Sequence, residues 1–388
     1  MSSADLSAKS SVDLAAKPRD TNAELRDGEL FWRDHCDWLK ASGYQLRPRF
    51  RPGWIPSWKK DPRKFPPACE DAWSLAYDSV IDAVRLCDNS QVQLKKIDRR
   101  VHPHEVEIAL FFTHLGPSPA NHCVPILETL YPDEDANLAI IVMPLLRDCD
   151  DPRFDTFGEA VEFFRQIFEG LQFMHHHHVA HRDCHFLNIM MDGTHLYPQG
   201  FHPDIIHQHL KPDKCATAKH YTRTRLPVKY YFIDFGISRR YGASDRAPME
   251  GIIRGGDKTA PEHAVPGQWA ADPFPTDIYY LGNFIRQHFL EGFEEPRTGY
   301  RVPGRVGFDF MAPLVQDMVH PDPTQRPTID AVVARFADIQ QRLGAWKLRA
   351  RVVSKGEFAY WPHRVVAHWC RRVRFVVLRV PALPVPSV

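Results

Sequence analysis

A series of short stretches in fixed order constrains this chain more than its composition does. His181-Arg182-Asp183 is followed by Asn188, five residues after the aspartate. Asp234-Phe235-Gly236 comes directly after the apolar run 230–233. Downstream stand Ala260-Pro261-Glu262, then Thr276-Asp277-Ile278 ahead of Leu281-Gly282, then Asp322-Pro323-Thr324-Gln325-Arg326-Pro327. Taken alone, Asp-Phe-Gly reads as a turn, because Asp and Gly both favour tight reversals. Several such stretches in one order are a far narrower condition, and any fold for the chain has to account for them together.

The patterning around the series divides the chain. Residues 1–24 are polar and aperiodic, the composition of disordered chain. Residues 29–40 fit a short helix with Leu30, Trp32 and Trp38 toward a core, and 44–67, rich in Pro, Arg and Trp, read as an extended strap. The runs 80–85 and 92–97 flank Asp88-Asn89-Ser90 and predict a hairpin. A helix is expected over 104–112, then strands over 124–130 and 138–145 joined by the turn-like Pro132-Asp133-Glu134-Asp135. Thr156 and Glu159 fit a capping box, and Val161, Phe164, Ile167, Phe168, Leu171 and Met174 then recur at helical spacing. Further helices are expected over 277–290, 308–319 and 328–343. Strands followed by helices predict an α+β fold, and with 44% hydrophobic residues the chain can fill a large core in two lobes or domains.

The ordered stretches resemble the catalytic loop, the metal-binding motif and the activation-segment end of eukaryotic protein kinases, over roughly residues 75–342. The resemblance implies a two-lobed kinase-like fold. An N-terminal extension would cover 1–65, a small β-rich lobe 66–143, a larger helical lobe 144–343 with an insert at 193–228, and a basic tail 344–388. It implies ATP- and Mg2+-dependent transfer of the γ-phosphate to a protein hydroxyl, Ser or Thr ahead of Tyr. Asp183 would take the hydroxyl proton, and Asn188 and Asp234 would hold Mg2+ through hard oxygen donors. His181, Arg182, Phe235 and Gly236 then have structural roles, Asp277 steadies the backbone of the catalytic loop, and Glu262 forms a buried ion pair with Arg326.

Val92-Gln93-Leu94-Lys95 resembles the strand whose lysine meets the α and β phosphates. Lys96 is the neighbouring choice, but strand alternation turns it to the other face. The lysine's helix partner would be Glu105, with Glu107 as the alternative. Residues 138–146 resemble the strand that runs into the hinge, with Met143 as gatekeeper, Pro144 as the first hinge residue and Leu146 supplying an amide to adenine.

The pattern also departs from the family. No glycine lies between Gly53 and Gly116, so the loop whose bare backbone covers the phosphates is absent or replaced. His185 stands two residues after Asp183, where Ser/Thr kinases usually carry lysine. The insert, with Tyr44-Gln45-Leu46-Arg47-Pro48-Arg49 and Pro52-Gly53-Trp54-Ile55-Pro56-Ser57-Trp58, is similar to a group of kinase-like proteins of mushroom-forming fungi. These departures keep two rivals open: a pseudokinase acting as a nucleotide-binding or scaffold module, and a small-molecule phosphotransferase of kinase-like fold.

Charge and cysteine content narrow the setting. Lys and Arg number 49 against 48 Asp and Glu, a net of +1, which does not suggest a nucleic-acid partner. The eight cysteines include no CxxC pair, and nothing resembles a secretory signal or a bilayer span, so reduced thiols in cytosol or nucleus are expected. The run His175–His178 reads as a helix terminus favouring basic groups rather than a metal site. Tyr241, Ser244 and Thr259 fall in the activation segment, where Arg182 could meet a phosphate on one of them. The tail carries Lys347, Arg349, Arg351, Lys355, Arg364, Arg371, Arg372, Arg374 and Arg379 against Glu357 alone. A weak membrane-surface contact through these arginines and Trp361 or Trp369 is one expectation for it, a solvated or packed extension the other.

Overall fold

The computed structural model describes residues 23–116, 118–203, 218–245, 247–253, 255–294, 299–357 and 362–386, the side chains of 362–364 excepted. The disorder expected of 1–24 falls almost wholly outside them, as do the centre of the insert and Trp361. The fold is mixed α+β. Its helices are α1 (Asp27–Asp34), α2 (Cys36–Ala41), α3 (Ser57–Lys60), α4 (Glu105–His114), α5 (Phe157–His176), α6 (Pro273–Ile285), α7 (Ala312–Met318), α8 (Ile329–Arg342), α9 (Ala345–Leu348) and α10 (Pro362–Val377). Two compact units form. One draws on residues up to Leu110 with Val124–Arg147 and Tyr197–His220; the other on Phe111–Cys123, Asp148–Leu196 and the chain from Tyr221 onward.

The first unit is built on an antiparallel sheet. Its strands are β1 (Tyr44–Leu46), β2 (Val80–Arg85), β3 (Gln91–Asp98), β4 (Glu128–Leu130) and β5 (Leu138–Pro144), in the order β1-β2-β3-β5-β4. The expected hairpin forms with Val80 opposite Lys95, and Asn89 takes the left-handed backbone its turn needs. Val92 and Leu94 alternate inward and meet Trp32, Leu39, Phe50 and Val142 in the core.

Three expectations shift here. The strap begins as a true edge strand, because Tyr44 and Leu46 alternate into the core while Gln45 turns out. The strand expected over 124–130 shortens to its last three residues; Pro125 has no N–H to give a ladder. The helix expected over 29–40 is likewise two helices. The imidazole Nδ1 of His35 sits 2.8 Å from the Phe31 carbonyl that also takes the His35 amide at 3.1 Å.

The strap is fixed by charge buried in that core. The Arg49 guanidinium and the Glu29 carboxylate are both fully buried and meet at 2.9 Å. Glu29 also accepts the Leu75 amide at 3.0 Å, and Arg49 donates to the Asp71 carbonyl at 3.1 Å. Asp71 in turn takes the Trp54 indole at 3.0 Å and the Ser57 hydroxyl at 2.6 Å. The long β1–β2 connection, which holds only the single-turn helix α3 and short 3-10 turns, is thereby tied down.

The second unit is helical around α5. Its N-cap Thr156 accepts the Glu159 amide at 3.3 Å, as the sequence predicts. The Glu159 carboxylate does not return to Thr156, however; it takes the Asp155 amide at 2.7 Å and the Thr224 amide at 2.8 Å. Phe164 and Phe168 pack on Phe336 of α8. Gln166 pins the Tyr230–Phe232 strand, accepting the Tyr230 amide at 2.9 Å and donating to the Val228 carbonyl at 3.0 Å. α6 starts earlier than expected, at Pro273 behind the N-cap Asp272, and passes into a wider π turn at Arg286–Glu291.

The ends of the insert close on each other through the Tyr221 amide and the Leu196 carbonyl at 2.9 Å. Arg223, buried, donates to the carbonyls of Cys149 and Pro152. Helix α10 was not expected from the sequence, because arginines interrupt its valines; Arg371 docks it on Asp155 with contacts of 2.7 and 3.1 Å. Among the described residues no helix is long and apolar enough to cross a membrane.

Removing one member of a buried ion pair strands the other charge without water. Arg49→Met and Glu29→Gln are each expected to cost roughly 3–5 kcal/mol in chemical denaturation, and the double substitution much less than the sum.

Candidate active site

The carboxylate of Asp277, fully buried on α6, organises the 181–188 loop. Its two oxygens accept the backbone amides of His181 at 2.8 Å and Arg182 at 2.6 Å, and His175 Nε2 lies 3.0 Å away. Arg182 has φ of 69°, a left-handed conformation unfavourable for a long side chain, so the loop needs this anchor. His181 is held on both ring nitrogens. Nδ1 accepts the Asp183 amide at 3.3 Å, which leaves Nε2 to donate to the Ile233 carbonyl at 3.0 Å. Burial lowers the His181 pKa, in keeping with this neutral tautomer.

Asn188 locks the other end. Its amide nitrogen donates to the Asp183 carbonyl at 3.0 Å and to the Asp183 carboxylate at 2.9 Å. Its backbone carbonyl accepts the Ile233 amide at 3.0 Å, which joins the loop to the residue before Asp234. Asp234 is itself left-handed, with φ of 65°, and accepts the Gly236 amide at 3.2 Å. Phe235 is buried between His181 and Phe112, with ring centroids 5.4 and 5.9 Å away. The two bonds to Ile233, from the Asn188 carbonyl and from the His181 ring, hold the residue ahead of Asp234 against the 181–188 loop.

Asp183 is mostly buried yet stays ionised. Burial works to raise its pKa, but His185, 3.4 Å from Oδ1, and the Gly256 amide, 2.8 Å from the same oxygen, bring it below the ordinary carboxylate value. His185 responds in the opposite sense: burial opposes its charge, but Asp183 raises its pKa above the usual imidazole value. Sequence reasoning missed the pair Gly255-Gly256. A Cβ on Gly255 would land on the Asp183 carboxylate, and one on Gly256 on the His185 imidazole. The signal was the doubled glycine just ahead of Asp-Lys-Thr-Ala-Pro-Glu.

The segment that follows is fastened at its end. Glu262 and Arg326 form the expected buried pair, at 2.8 and 2.7 Å, and the Thr276 hydroxyl adds a bond of 2.7 Å to the carboxylate. Arg182 donates to the carbonyls of Ile237 at 3.0 Å and Gly251 at 2.6 Å, and the Glu250 carboxylate lies 3.7 Å from it. Of the hydroxyls singled out in the sequence, Thr259 is turned elsewhere, to Asp257, Tyr279 and Asn283. Ser244 is exposed, and Tyr241 is half-buried. The histidine run has separate partners: His175 on Asp277, His176 on Asp330 and His177 on the Phe173 carbonyl, while His178 takes a left-handed turn.

In the first unit Lys95 pairs with Glu105, not with Glu107, which is exposed and lies beside His104. Lys96 points to the other face, 4.2 Å above the Phe31 ring. Met143 is buried opposite Gln93, Pro144 stands opposite Val92 at the end of β5, and Leu146 is buried beyond it. No glycine-bearing hairpin joins β1 to β2; residues 47–79 fill that connection with the strap.

The donor chemistry around Asp183 fits a magnesium ion. With Asn188 Nδ2 committed to Asp183, the amide oxygen and the Asp234 carboxylate are hard donors of the kind that Mg2+ takes, one or two protein oxygens with water and substrate phosphate. No cluster of three or more His, Cys, Asp or Glu side chains able to hold a metal occurs among the described residues.

Acidification gives a direct check on the Glu262–Arg326 pair. Burial favours the protonated acid, but Arg326 and Thr276 outweigh it and depress the folded pKa below 4.5. The stabilisation is therefore present above 4.5 and lost as pH falls through the folded value. Glu262→Gln is expected to lose roughly 3 kcal/mol or more at neutral pH, and its unfolding free energy should fall less steeply with acid than that of the unaltered chain.

No known family model matches the chain, and no curated protein matches it.

Proposed function

We infer that the chain is an ATP- and Mg2+-dependent protein kinase of two-lobed kinase-like fold, transferring the γ-phosphate to a protein hydroxyl. One observation carries the reading: Asp277 holds the His181 and Arg182 amides so that Asp183 and Asn188 stand bonded together, on a loop bonded to Ile233 just ahead of Asp234. Phosphoryl transfer asks mainly for positioning and for neutralised charge, and this group supplies rigid oxygens for both. Asp183, ionised and oriented by Asn188, accepts the proton of the attacking hydroxyl. Asn188 and Asp234 hold Mg2+, which offsets the charge of the phosphates when bound. Lys95, oriented by Glu105, contacts the α and β phosphates, and Leu146 with Pro144 and Met143 frames the adenine.

The rival reading is a pseudokinase that binds nucleotide or partners without turnover. Two observations favour it: the missing glycine loop between β1 and β2, and the Gly256 amide on Asp183 Oδ1, which leaves neither carboxylate oxygen without a donor. The small-molecule phosphotransferase ranks third, because the Glu262–Arg326 pair and Asp277 belong to the protein-kinase pattern.

Thermal stability with ATP, with and without Mg2+, followed by phosphate transfer to a generic protein or to the chain itself, separates these readings. Saturation at a hundred times the dissociation constant should add about 2.7 kcal/mol of stability. Asp183→Asn is expected to leave the nucleotide shift in place and lower transfer by roughly 10²-fold or more. Binding with no transfer by the unaltered chain selects a nucleotide-binding pseudokinase, and no nucleotide shift at all overturns the kinase reading and leaves only a pseudokinase that binds partners.

A further inference from the structure

Helix α10 has two faces, and among the described residues only one is used by the fold. His368, Arg372 and Phe375 are buried, and Arg371 is bonded to Asp155, so this side seats the helix on the start of α5. The opposite side carries Val366, Trp369, Cys370, Val373 and Val377. These recur at three- and four-residue steps and form a continuous stripe along the helix. Val366 is 60% exposed, Trp369 46%, Val373 57% and Val377 73%. Leu378 prolongs the stripe, and Trp346 lies beside it, its ring 6.2 Å from that of Trp369. Arg372 lies against both indoles, 3.7 Å from one and 4.8 Å from the other, and holds the two tryptophans as one platform.

Charge decides what covers the stripe. From residue 344 to the end Glu357 is the only acid, and it is already paired with Arg351. Arg374 and Arg379 are exposed at the flank and end of the stripe. Two copies packed face to face through α10 would bring these arginines together with no carboxylate to meet them. An anionic lipid surface satisfies both features at once: valines enter the acyl boundary, indoles lie at headgroup depth, and guanidinium groups meet phosphate.

We propose that the outer face of α10, with Trp346, is a docking surface for an anionic lipid bilayer, on which the helix lies in the interfacial plane. The assignment is independent of whether the Asp183 site transfers phosphate. The tryptophan that lies on the stripe is Trp369; Trp361 falls outside the described residues.

The test uses the full chain with vesicles of phosphatidylcholine alone and of equimolar phosphatidylcholine and phosphatidylserine. Co-sedimentation is expected only with the mixed vesicles. Val373→Asp, at an exposed position, should lower it about tenfold or more at unchanged melting temperature, and Arg374→Glu about fivefold or more, the latter effect shrinking as salt rises. A site-specific readout comes from an environment-sensitive dye on Cys370 after Cys87→Ser and Cys215→Ser. Its emission should shift to the blue with mixed vesicles alone. Absence of sedimentation, equal sedimentation on both vesicles, or a dye that stays in water each overturns the proposal. So does concentration-dependent self-association abolished by Val373→Asp, which would give the face to a second copy of the chain.

Discussion

The second unit depends on one carboxylate with no access to water. Asp277 accepts two consecutive backbone amides, and a third polar group, His175, lies within hydrogen-bond distance of it. A carboxylate bonded in this way offsets the cost of its own burial and fixes the direction of every residue that follows. From that point the chain is determined by short bonds in sequence. His181 reaches the carbonyl ahead of Asp234, Asn188 reaches back to Asp183, and Phe235 closes over His181. Without the Asp277 anchor, the left-handed backbone at Arg182 would relax toward the common regions, and Asp183 would move with it.

The same device recurs where the chain has no regular element to rely on. Glu29 with Arg49 ties the strap, and Glu262 with Arg326 ties the segment after the glycine pair. Buried pairs of this kind contribute little net stability compared with apolar packing, but they tolerate only one geometry. That is the property an irregular connection needs. It also explains why a chain with 33 prolines can be well packed outside its helices and strands.

Much of this was legible in the sequence, for a definite reason. The hairpin between β2 and β3, the start of α5 at Thr156 and the span of α8 follow from local periodicity and turn chemistry, which neighbours in the chain set by themselves. The pairing of Lys95 with Glu105 and the turning away of Lys96 follow from strand alternation once the strand is known. What failed was local pattern broken by composition. β1 was hidden by the arginines and prolines around it, and α10 by arginines among valines. At the break the His35 ring shares the Phe31 carbonyl with its own amide, a contact that no propensity describes.

The sequence by itself determined the α+β character of the chain, the hairpin of β2 with β3 and the start of α5 at Thr156, because these are properties of residue type and near spacing. Only the tertiary structure decided that Gly255 and Gly256 lie against Asp183 and His185, that the Glu159 carboxylate serves Thr224, and that one face of α10 stays exposed among the described residues. Each of these joins residues far apart in the chain or depends on what packs against a surface. Contacts of that range are set by the closing of the whole core, and local preference carries no trace of them.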